Sequence, residues 1–251
     1  MRKIAQKLPQ YDYLYLGDTK RTPYGNRSAE TVYQFTKEAV DYLFKEKCEL
    51  IILACNTASA RALRKIQQEY LPAHYPKRRV LGVVVPTVEE ILKIDNIKRV
   101  GVLATQGTVE SKIFEIELKK INPKIKIFQQ PAPLLVPLVE NNSLKWAEPI
   151  LKEYLKPLIK KKVEIILLGC THYPILKNKI RKIAGRKIKV FSQDKLIPDK
   201  LADYLKRHQE IDRKLAKNHG RLFEVTDMTP HIKATAKKWF GKNISFKLAK
   251  I

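Results

Sequence analysis

The sequence predicts an α/β protein made of two pseudosymmetric halves, each built on a mostly parallel β-sheet. Short apolar runs alternate along the chain with longer segments whose apolar residues recur at helical spacing, which is typical of parallel sheets covered by helices. In addition, one stretch of the chain occurs twice, and both copies have the composition of a strand buried on both faces. Together the two observations favour a duplicated α/β architecture.

The repeated stretch ends in a cysteine in both copies. Residues 47–55 have the sequence KCELIILAC and residues 162–170 have the sequence KVEIILLGC, so that Lys, Glu and the final Cys are identical. Ligands of open α/β sheets bind at the carboxyl ends of strands. The two thiols, Cys55 and Cys170, therefore suggest two related halves that face one site.

The individual elements follow from local patterns. Helices are predicted where apolar residues recur every three or four positions, and strands where β-branched and aromatic residues alternate or form short runs. Three prolines in 131–140 exclude a central strand or an ordinary helix interior there. The predicted helices are 1–8, 28–47, 56–70, 87–93, 105–120, 145–160, one opening at 169–174, 199–207 and one from Thr229; the predicted strands are 11–17, the two repeat copies, 80–85, 99–104, 125–128, 187–191, 221–225 and 244–248.

The composition fits a protein with a substantial core. A chain of 251 residues with 44% hydrophobic content can form one large domain or two small ones. No apolar stretch approaches the roughly 18 residues of a membrane helix, and the first residues do not resemble a signal peptide. Three cysteines without a CxxC pair or a Cys/His cluster predict reduced thiols in the cytoplasm and no metal site.

The net charge of +25 raises the question of nucleic-acid binding. The lysines, however, are spread through nearly every predicted helix, and no RNA-binding or helix-turn-helix signature accompanies them. A positive field also favours anionic small substrates. The charge therefore makes nucleic-acid binding an alternative but not the main prediction.

Cys55 and Cys170 are candidates for proton transfer at carbon. The ordinary pKa of a thiol, about 8.5, is lowered at a helix N-terminus, and both cysteines lie at predicted strand-to-helix turns. One thiol on each side of a stereocentre could remove a proton from one face and return one to the other, which is racemisation or epimerisation without metal or pyridoxal. The alternative is that both are small buried hydrophobic residues. Their matched positions favour chemistry, whereas Cys48, which is matched by Val163, favours packing.

Two motifs that contain these cysteines resemble the signatures of the glutamate racemases. They are residues 54–59 (ACNTAS) and residues 169–174 (GCTHYP). Five further segments match this family in order: 17–19 with 23–25, 86–88, 104–108 and 136–140. The resemblance runs from about residue 4 to the C-terminus. It implies a cofactor-independent enzyme of the aspartate/glutamate racemase superfamily that makes D-glutamate for peptidoglycan, often as a homodimer.

The resemblance also implies domains and roles for individual residues. The first domain would comprise residues 1–85 and 195–251, the second residues 86–194, with the active site between them. Cys55 should deprotonate D-glutamate and Cys170 should deprotonate L-glutamate, assisted by His172 and Glu140. The residues expected to bind the substrate are Pro23, Tyr24, Gly25, Asn56, Thr57, Thr105, Thr108 and Thr171.

One feature of the family is not found in this sequence. The glutamate racemases normally begin with a strand that ends in Asp-Ser-Gly, and here Met1 falls within the helix that should follow it. We therefore expect that the fold is kept, with a groove in the sheet of the first half, and that activity at Cys55 is weakened or lost. Two alternative functions remain: a racemase or isomerase of the same superfamily with another substrate, and a catalytically silent binding protein.

Overall fold

A computed structural model describes residues 1–241 and 244–251, and it confirms the predicted α/β class. Every strand pair in the described residues is parallel. The strands are β1 (Tyr13–Gly17), β2 (Leu50–Leu53), β3 (Arg79–Gly82), β4 (Arg99–Ala104), β5 (Lys126–Pro131), β6 (Ile165–Gly169), β7 (Lys189–Phe191), β8 (Arg221–Val225) and β9 (Phe246–Leu248).

Helices cover the sheets, and most of them connect consecutive strands. The α-helices are α1 (Arg2–Lys7), α2 (Ala29–Lys45), α3 (Asn56–Arg61), α4 (Leu63–Lys65), α5 (Leu71–His74), α6 (Val84–Ile91), α7 (Gln106–Glu110), α8 (Ile113–Ile121), α9 (Leu135–Glu140), α10 (Ala147–Lys160), α11 (Lys177–Ala184), α12 (Gln193–Arg207), α13 (Gln209–Asp212) and α14 (Pro230–Phe240). Short 3-10 helices span Tyr24–Asn26, Leu144–Trp146 and Tyr173–Leu176, and a π-helix spans Ile66–Tyr70. No helix within these described ranges is long and apolar enough to cross a membrane.

The second half is built on a continuous four-stranded sheet in the order β5-β4-β6-β7. All five residues of β6 are buried, because helices cover both faces of the sheet. One face packs against α10 and α11 through Leu151, Leu155 and Ile180. The other packs against α6 and α8 through Val88 and Leu118. This sheet carries the largest part of the hydrophobic core.

The strands of the first half form two separate sheets, β1-β8-β9 and β2-β3. The repeat makes β2 equivalent to β6, and β6 has β7 on one side and β4 on the other. Within the described residues, β2 has β3 on one side and no strand on the other. Tyr13 of β1 and Leu50 and Ile52 of β2 pack against the same apolar cluster, so the two sheets lie side by side. We call the space between β1 and β2 the sheet gap; it lies where a groove was expected.

Two differences between the repeat copies accompany the sheet gap. Glu164 accepts hydrogen bonds from the backbone N–H groups of Lys98 and Arg99 at the start of β4, both at 2.7 Å. Its counterpart Glu49 forms an ion pair with Arg78 instead. In addition, only one of the four residues of β2 is fully buried. Among the residues that the structure describes, no strand equivalent to β4 therefore lies beside β2.

The turn before each repeat strand has the same backbone conformation in both halves. Lys47 and Lys162 follow helices α2 and α10, and their φ angles are 64° and 51°. A left-handed conformation is unfavourable for a residue with a Cβ atom. The repeat therefore extends from the helix C-terminus through the strand to the cysteine.

Replacing Lys162 by glycine is expected to stabilise the protein by about 0.5–1 kcal/mol, because glycine adopts positive φ without steric cost. The free energy of unfolding in urea would measure this. Lys156→Gly is the matched control: Lys156 is exposed in the interior of α10, where glycine should cost about 1 kcal/mol. A loss of stability in Lys162→Gly would contradict the strain assigned to this turn.

Of two sequence predictions that involve proline, the one for 80–85 is wrong and the one for 131–140 agrees with the structure. The strand predicted at 80–85 ends at Gly82, and Pro86 lies in the first turn of α6. The segment 131–140 contains the short helix α9, with Pro137 in its first turn. Proline is tolerated there because the N–H that it lacks would have no partner within the helix.

The proposed domain boundaries at residues 85/86 and 194/195 fall inside α6 and α12 and stay predictions.

Candidate active site

Cys55 lies directly beyond the end of β2 and caps α3. Its side chain is exposed, and its Sγ accepts a hydrogen bond from the backbone N–H of Ala58 at 3.5 Å. The desolvation by surrounding protein atoms raises the pKa of the Cys55 thiol, and the charge of Cys170 raises it further, although hydrogen bonds from Ala58 and Thr57 act to lower it. The predicted net lowering by the helix N-terminus is therefore wrong for Cys55.

The raised pKa predicts slow alkylation of Cys55 at neutral pH. Because the thiolate is the reactive form, the rate of reaction with iodoacetamide should keep rising with pH beyond 9, since the pKa of Cys55 is raised above this value. Quantifying the Cys55 peptide by mass spectrometry after short exposures between pH 6 and pH 10.5 would give the profile. The urea-unfolded chain is the control. A rate that levels off below pH 9 in the folded protein would contradict the prediction.

Cys170 begins a chain of polar groups at the end of β6. Its Sγ lies 3.7 Å from Nδ1 of His172, and Nε2 of His172 lies 3.1 Å from Oε1 of Glu140. Cys170 is buried and is followed by a 3-10 helix, so the α-helix predicted to open beside it begins only at Lys177. The structure thus brings together three of the four residues predicted to be catalytic.

His172 is positively charged in this arrangement. Burial acts to lower its pKa, but hydrogen bonds and charge interactions with Cys170 and Glu140 outweigh it and raise the pKa to about 10. At neutral pH both ring nitrogens therefore carry protons and can donate, one toward the sulfur and one toward the carboxylate. Negative charge on the Cys170 sulfur is thus compensated by an adjacent imidazolium.

Helix α14 of the C-terminal segment covers this chain of polar groups. The ring of Trp239 meets the ring of His172 edge-on at 5.8 Å between centroids. Nε2 of His231 lies 2.9 Å from the backbone oxygen of Glu140. Because α14 follows β8 of the first half, the second thiol is enclosed by elements from both halves of the chain.

Three threonine hydroxyls form a buried triangle between the two halves. The Oγ1 atoms of Thr57 and Thr105 are 2.9 Å apart, those of Thr105 and Thr108 are 3.0 Å apart, and those of Thr57 and Thr108 are 3.3 Å apart. Gly25 packs directly on this triangle, since a Cβ atom at Gly25 would lie 2.9 Å from Cβ of Thr105. The triangle joins α3 of the first half to α7 of the second.

The loop that carries Tyr24 is fixed by Asp18, which the sequence analysis did not single out. Asp18 accepts hydrogen bonds from the hydroxyl of Tyr24, from Nε of Arg21 and from the hydroxyl of Thr226. Burial and the hydrogen bond to Asp18 raise the pKa of Tyr24. Tyr24 is therefore a neutral hydrogen-bond donor, and it is close enough for the charge of Cys55 to affect it.

Three residues predicted to bind substrate do not belong to the clusters described above: one is paired inside the protein and two are exposed. Asn56 is buried, and both polar atoms of its side chain are paired with Gln193. Pro23 and Thr171 are exposed, the former after a cis peptide bond. Gln193 gave no signal in the sequence, because its partner Asn56 is 137 positions away. The binding roles of these residues stay predictions.

The two thiols occupy equivalent ends of equivalent strands and lie within electrostatic reach of one another. Cys55 is followed in α3 by Thr57, one of the three clustered threonines, and Cys170 lies beside the imidazolium of His172. No cluster of three or more His, Cys, Asp or Glu suited to a metal ion occurs in residues 1–241 and 244–251. Thiols and an imidazolium are groups that can accept and supply protons.

This combination of a duplicated α/β fold and paired strand-end cysteines defines a known class of proteins. A sequence profile described as Asp/Glu/Hydantoin racemase matches residues 1–192, and the chain belongs to this family. Within the family, it is 38% identical over 220 residues to a glutamate racemase from Dinoroseobacter shibae, covering 83% of this chain and 80% of that protein.

Solved structures of glutamate racemases share the fold. A glutamate racemase isoform from Bacillus anthracis superimposes with a TM-score of 0.89 at 30% identity, over 99% of this chain and 91% of that chain. A glutamate racemase from Francisella tularensis in complex with D-glutamate has a TM-score of 0.87 at 30% identity, with the same coverage. These similarities confirm the predicted resemblance and the two-domain α/β architecture.

Proposed function

We propose that this chain interconverts L- and D-glutamate without a cofactor and that the two thiols Cys55 and Cys170 are the bases. The observation that carries the proposal is their placement at the ends of β2 and β6, within electrostatic reach of each other. Relatives at 38% identity and a structural neighbour in complex with D-glutamate support glutamate as the substrate. The enzyme would act in the cytoplasm, and the D-glutamate that it forms would be used for peptidoglycan.

The proposed reaction needs one thiolate and one thiol. From L-glutamate, the Cys170 thiolate takes the α-proton, so that an S–H bond forms, the C–H bond breaks and its electron pair stays on the α-carbon. Cys55 then gives its proton to the opposite face and becomes the thiolate, and the reverse sequence converts D-glutamate. The raised pKa of Cys55 keeps it protonated before L-glutamate binds. The imidazolium of His172 balances the charge on Cys170.

The remaining predicted residues would hold the substrate. Tyr24, Gly25 and the hydroxyls of Thr57, Thr105 and Thr108 line one region, and their donors suit carboxylates. Domains at residues 1–85 with 195–251 and at 86–194, and a homodimer, are further parts of the proposal. Light scattering of the purified chain would test the dimer.

Exchange of the α-proton tests the proposal. The purified chain is incubated separately with L- and D-glutamate in heavy water without added cofactor, and the α-proton signal and optical rotation are followed. Both enantiomers should lose the α-proton and approach the racemate. The double variant Cys55→Ala/Cys170→Ala, confirmed as folded by circular dichroism, is the control. No exchange in the folded wild-type chain would overturn the proposal.

A second candidate, a catalytically silent binding protein, is favoured by the sheet gap, because the gap borders β2, the strand that carries Cys55. The net charge of +25 would then serve an acidic partner. A salt-sensitive mobility shift of DNA, together with absence of α-proton exchange, would support this alternative.

A further inference from the structure

A buried pair of side-chain amides, formed by Asn56 and Gln193, adjoins Cys55. Nδ2 of Asn56 donates to Oε1 of Gln193 at 2.8 Å, and Nε2 of Gln193 donates to Oδ1 of Asn56 at 3.0 Å. Nε2 of Gln193 also lies 3.0 Å from Oγ1 of Thr87 and 3.3 Å from the backbone oxygen of Val83. Asn56, Thr87 and Gln193 are at most 4% exposed.

The amide pair joins three segments that are distant in the sequence. Gln193 is the first residue of α12, which leads from β7 of the second sheet toward the first half. Asn56 is the first residue of α3 and adjoins Cys55. Val83 and Thr87 belong to the start of α6. One side chain therefore fixes the beginning of α3 relative to both crossovers between the halves.

We propose that Gln193 is a positioning residue for Cys55, which it holds in place by fixing the side chain of Asn56 and with it the first turn of α3. The effect that we expect on catalysis rests on the function proposed above. The effect on the position of the thiol can be tested even if the protein does not turn over glutamate. Gln193 itself touches neither thiol, and it acts only through Asn56.

The physical reason is that Asn56 has no other partner in the described part of the chain. Both polar atoms of its buried side chain pair with Gln193, and a buried amide without partners is strongly unfavourable. If Gln193 could not hydrogen-bond, Asn56 would turn toward water and carry the first turn of α3 with it. That turn supplies the Ala58 N–H that donates to Cys55 Sγ. Displacement of a reacting group by about 1 Å can cost 100-fold in rate.

The catalytic test compares the two enantiomers in Gln193→Met, which keeps the length of the side chain and removes its hydrogen bonds. In heavy water, kcat for α-proton exchange from D-glutamate, which needs Cys55, should fall at least tenfold. Exchange from L-glutamate, which needs Cys170, should fall less than threefold, and KM for both should change less than threefold. Equal losses for the two enantiomers would overturn the proposal.

Alkylation provides a test that does not depend on glutamate turnover. In Gln193→Met the rate at which iodoacetamide modifies Cys55 at pH 9 should fall at least threefold, because the N–H groups that stabilise the thiolate move away. If the wild-type chain shows no exchange, this rate still decides the role of Gln193, so failure of the proposed function and failure of this inference are distinguishable. An unchanged rate would overturn the inference.

Thr87→Val is the matched control. It removes another buried partner of Gln193 and leaves both hydrogen bonds to Asn56 intact, so it should leave the alkylation rate and the ratio of the two exchange rates within twofold of wild type. If it reproduced the changes seen in Gln193→Met, loosening of the core would explain them and the inference would be wrong. Should Gln193→Met fail to fold, Gln193→Glu, which cannot donate to Asn56, takes its place with the same expected results.

Discussion

Removing either thiol alone should nearly abolish racemisation, but the variant should still exchange the α-proton of one of the two enantiomers. Cys170→Ala is expected to lower exchange of the α-proton of L-glutamate by about 10³-fold, because positioned proton-transfer groups contribute roughly 10²–10⁴ to rate. Cys55 remains in this variant and should still exchange the proton of D-glutamate. Cys55→Ala should show the reverse pattern. Both variants should interconvert the enantiomers at least about 10³-fold more slowly than wild type.

The informative result of that experiment is which of the two enantiomers loses its α-proton exchange in each variant. A structural defect would lower both exchange rates together, whereas loss of one base lowers one of them. The exposed surface variant Lys156→Ala serves as a control for general effects of substitution and should exchange both enantiomers at wild-type rates. Loss of both exchanges in both single variants, with folding intact, would contradict the assignment of one thiol to each enantiomer.

The sheet gap should make β2 exchange its backbone amide protons far faster than β6. In a parallel strand, alternate N–H groups point to opposite edges, and those of β2 and β1 that face the gap have no partner strand in the described residues. Both edges of β6 are paired, with β4 and with β7. We expect the gap-facing amides of β2 to exchange at least about 100-fold faster, because local opening of an unpaired edge requires little free energy.

The internal repeat provides the matched comparison for this measurement. Peptides that cover Leu50–Leu53 and Ile165–Gly169 have nearly the same composition, so that their intrinsic exchange rates are similar. Hydrogen-exchange mass spectrometry at pH 7 over seconds to hours would resolve the difference. Equal protection of the two peptides would show that β2 is paired on both edges in solution, and the two sheets of the first half would then be one.

The sequence predicted those parts of the site that depend on local pattern. Cys55 and Cys170 were identified because each follows an apolar strand, and the repeat makes the equivalence visible. The pairing of Asn56 with Gln193 could not be predicted, because it joins residues 137 positions apart and neither has a distinctive neighbourhood. The direction of the Cys55 pKa was missed for a related reason. The helix N-terminus is a local feature, whereas the desolvation that outweighs it is caused by protein atoms that the tertiary structure brings around the thiol.

The strand predicted to run up to Pro86 shows a limit of reasoning from proline. Pro86 was treated as a boundary, but like Pro137 it lies in the first turn of a helix, where proline is tolerated. A sequence alone does not show whether a proline ends one element or begins the next. The helix α9 matters for the site because its last residue is Glu140, which the fold brings to His172.

The unequal surroundings of the two thiols have a thermodynamic consequence for the proposed reaction. L- and D-glutamate have equal free energies in water, so the equilibrium constant between them is one, and kcat/KM must be the same in both directions. The imidazolium beside Cys170 and the backbone N–H beside Cys55 can make kcat differ between the two enantiomers, but the two KM values must then differ by the same factor. The enantiomer that is turned over faster must therefore also be the one with the higher KM, although the two thiols have different neighbours.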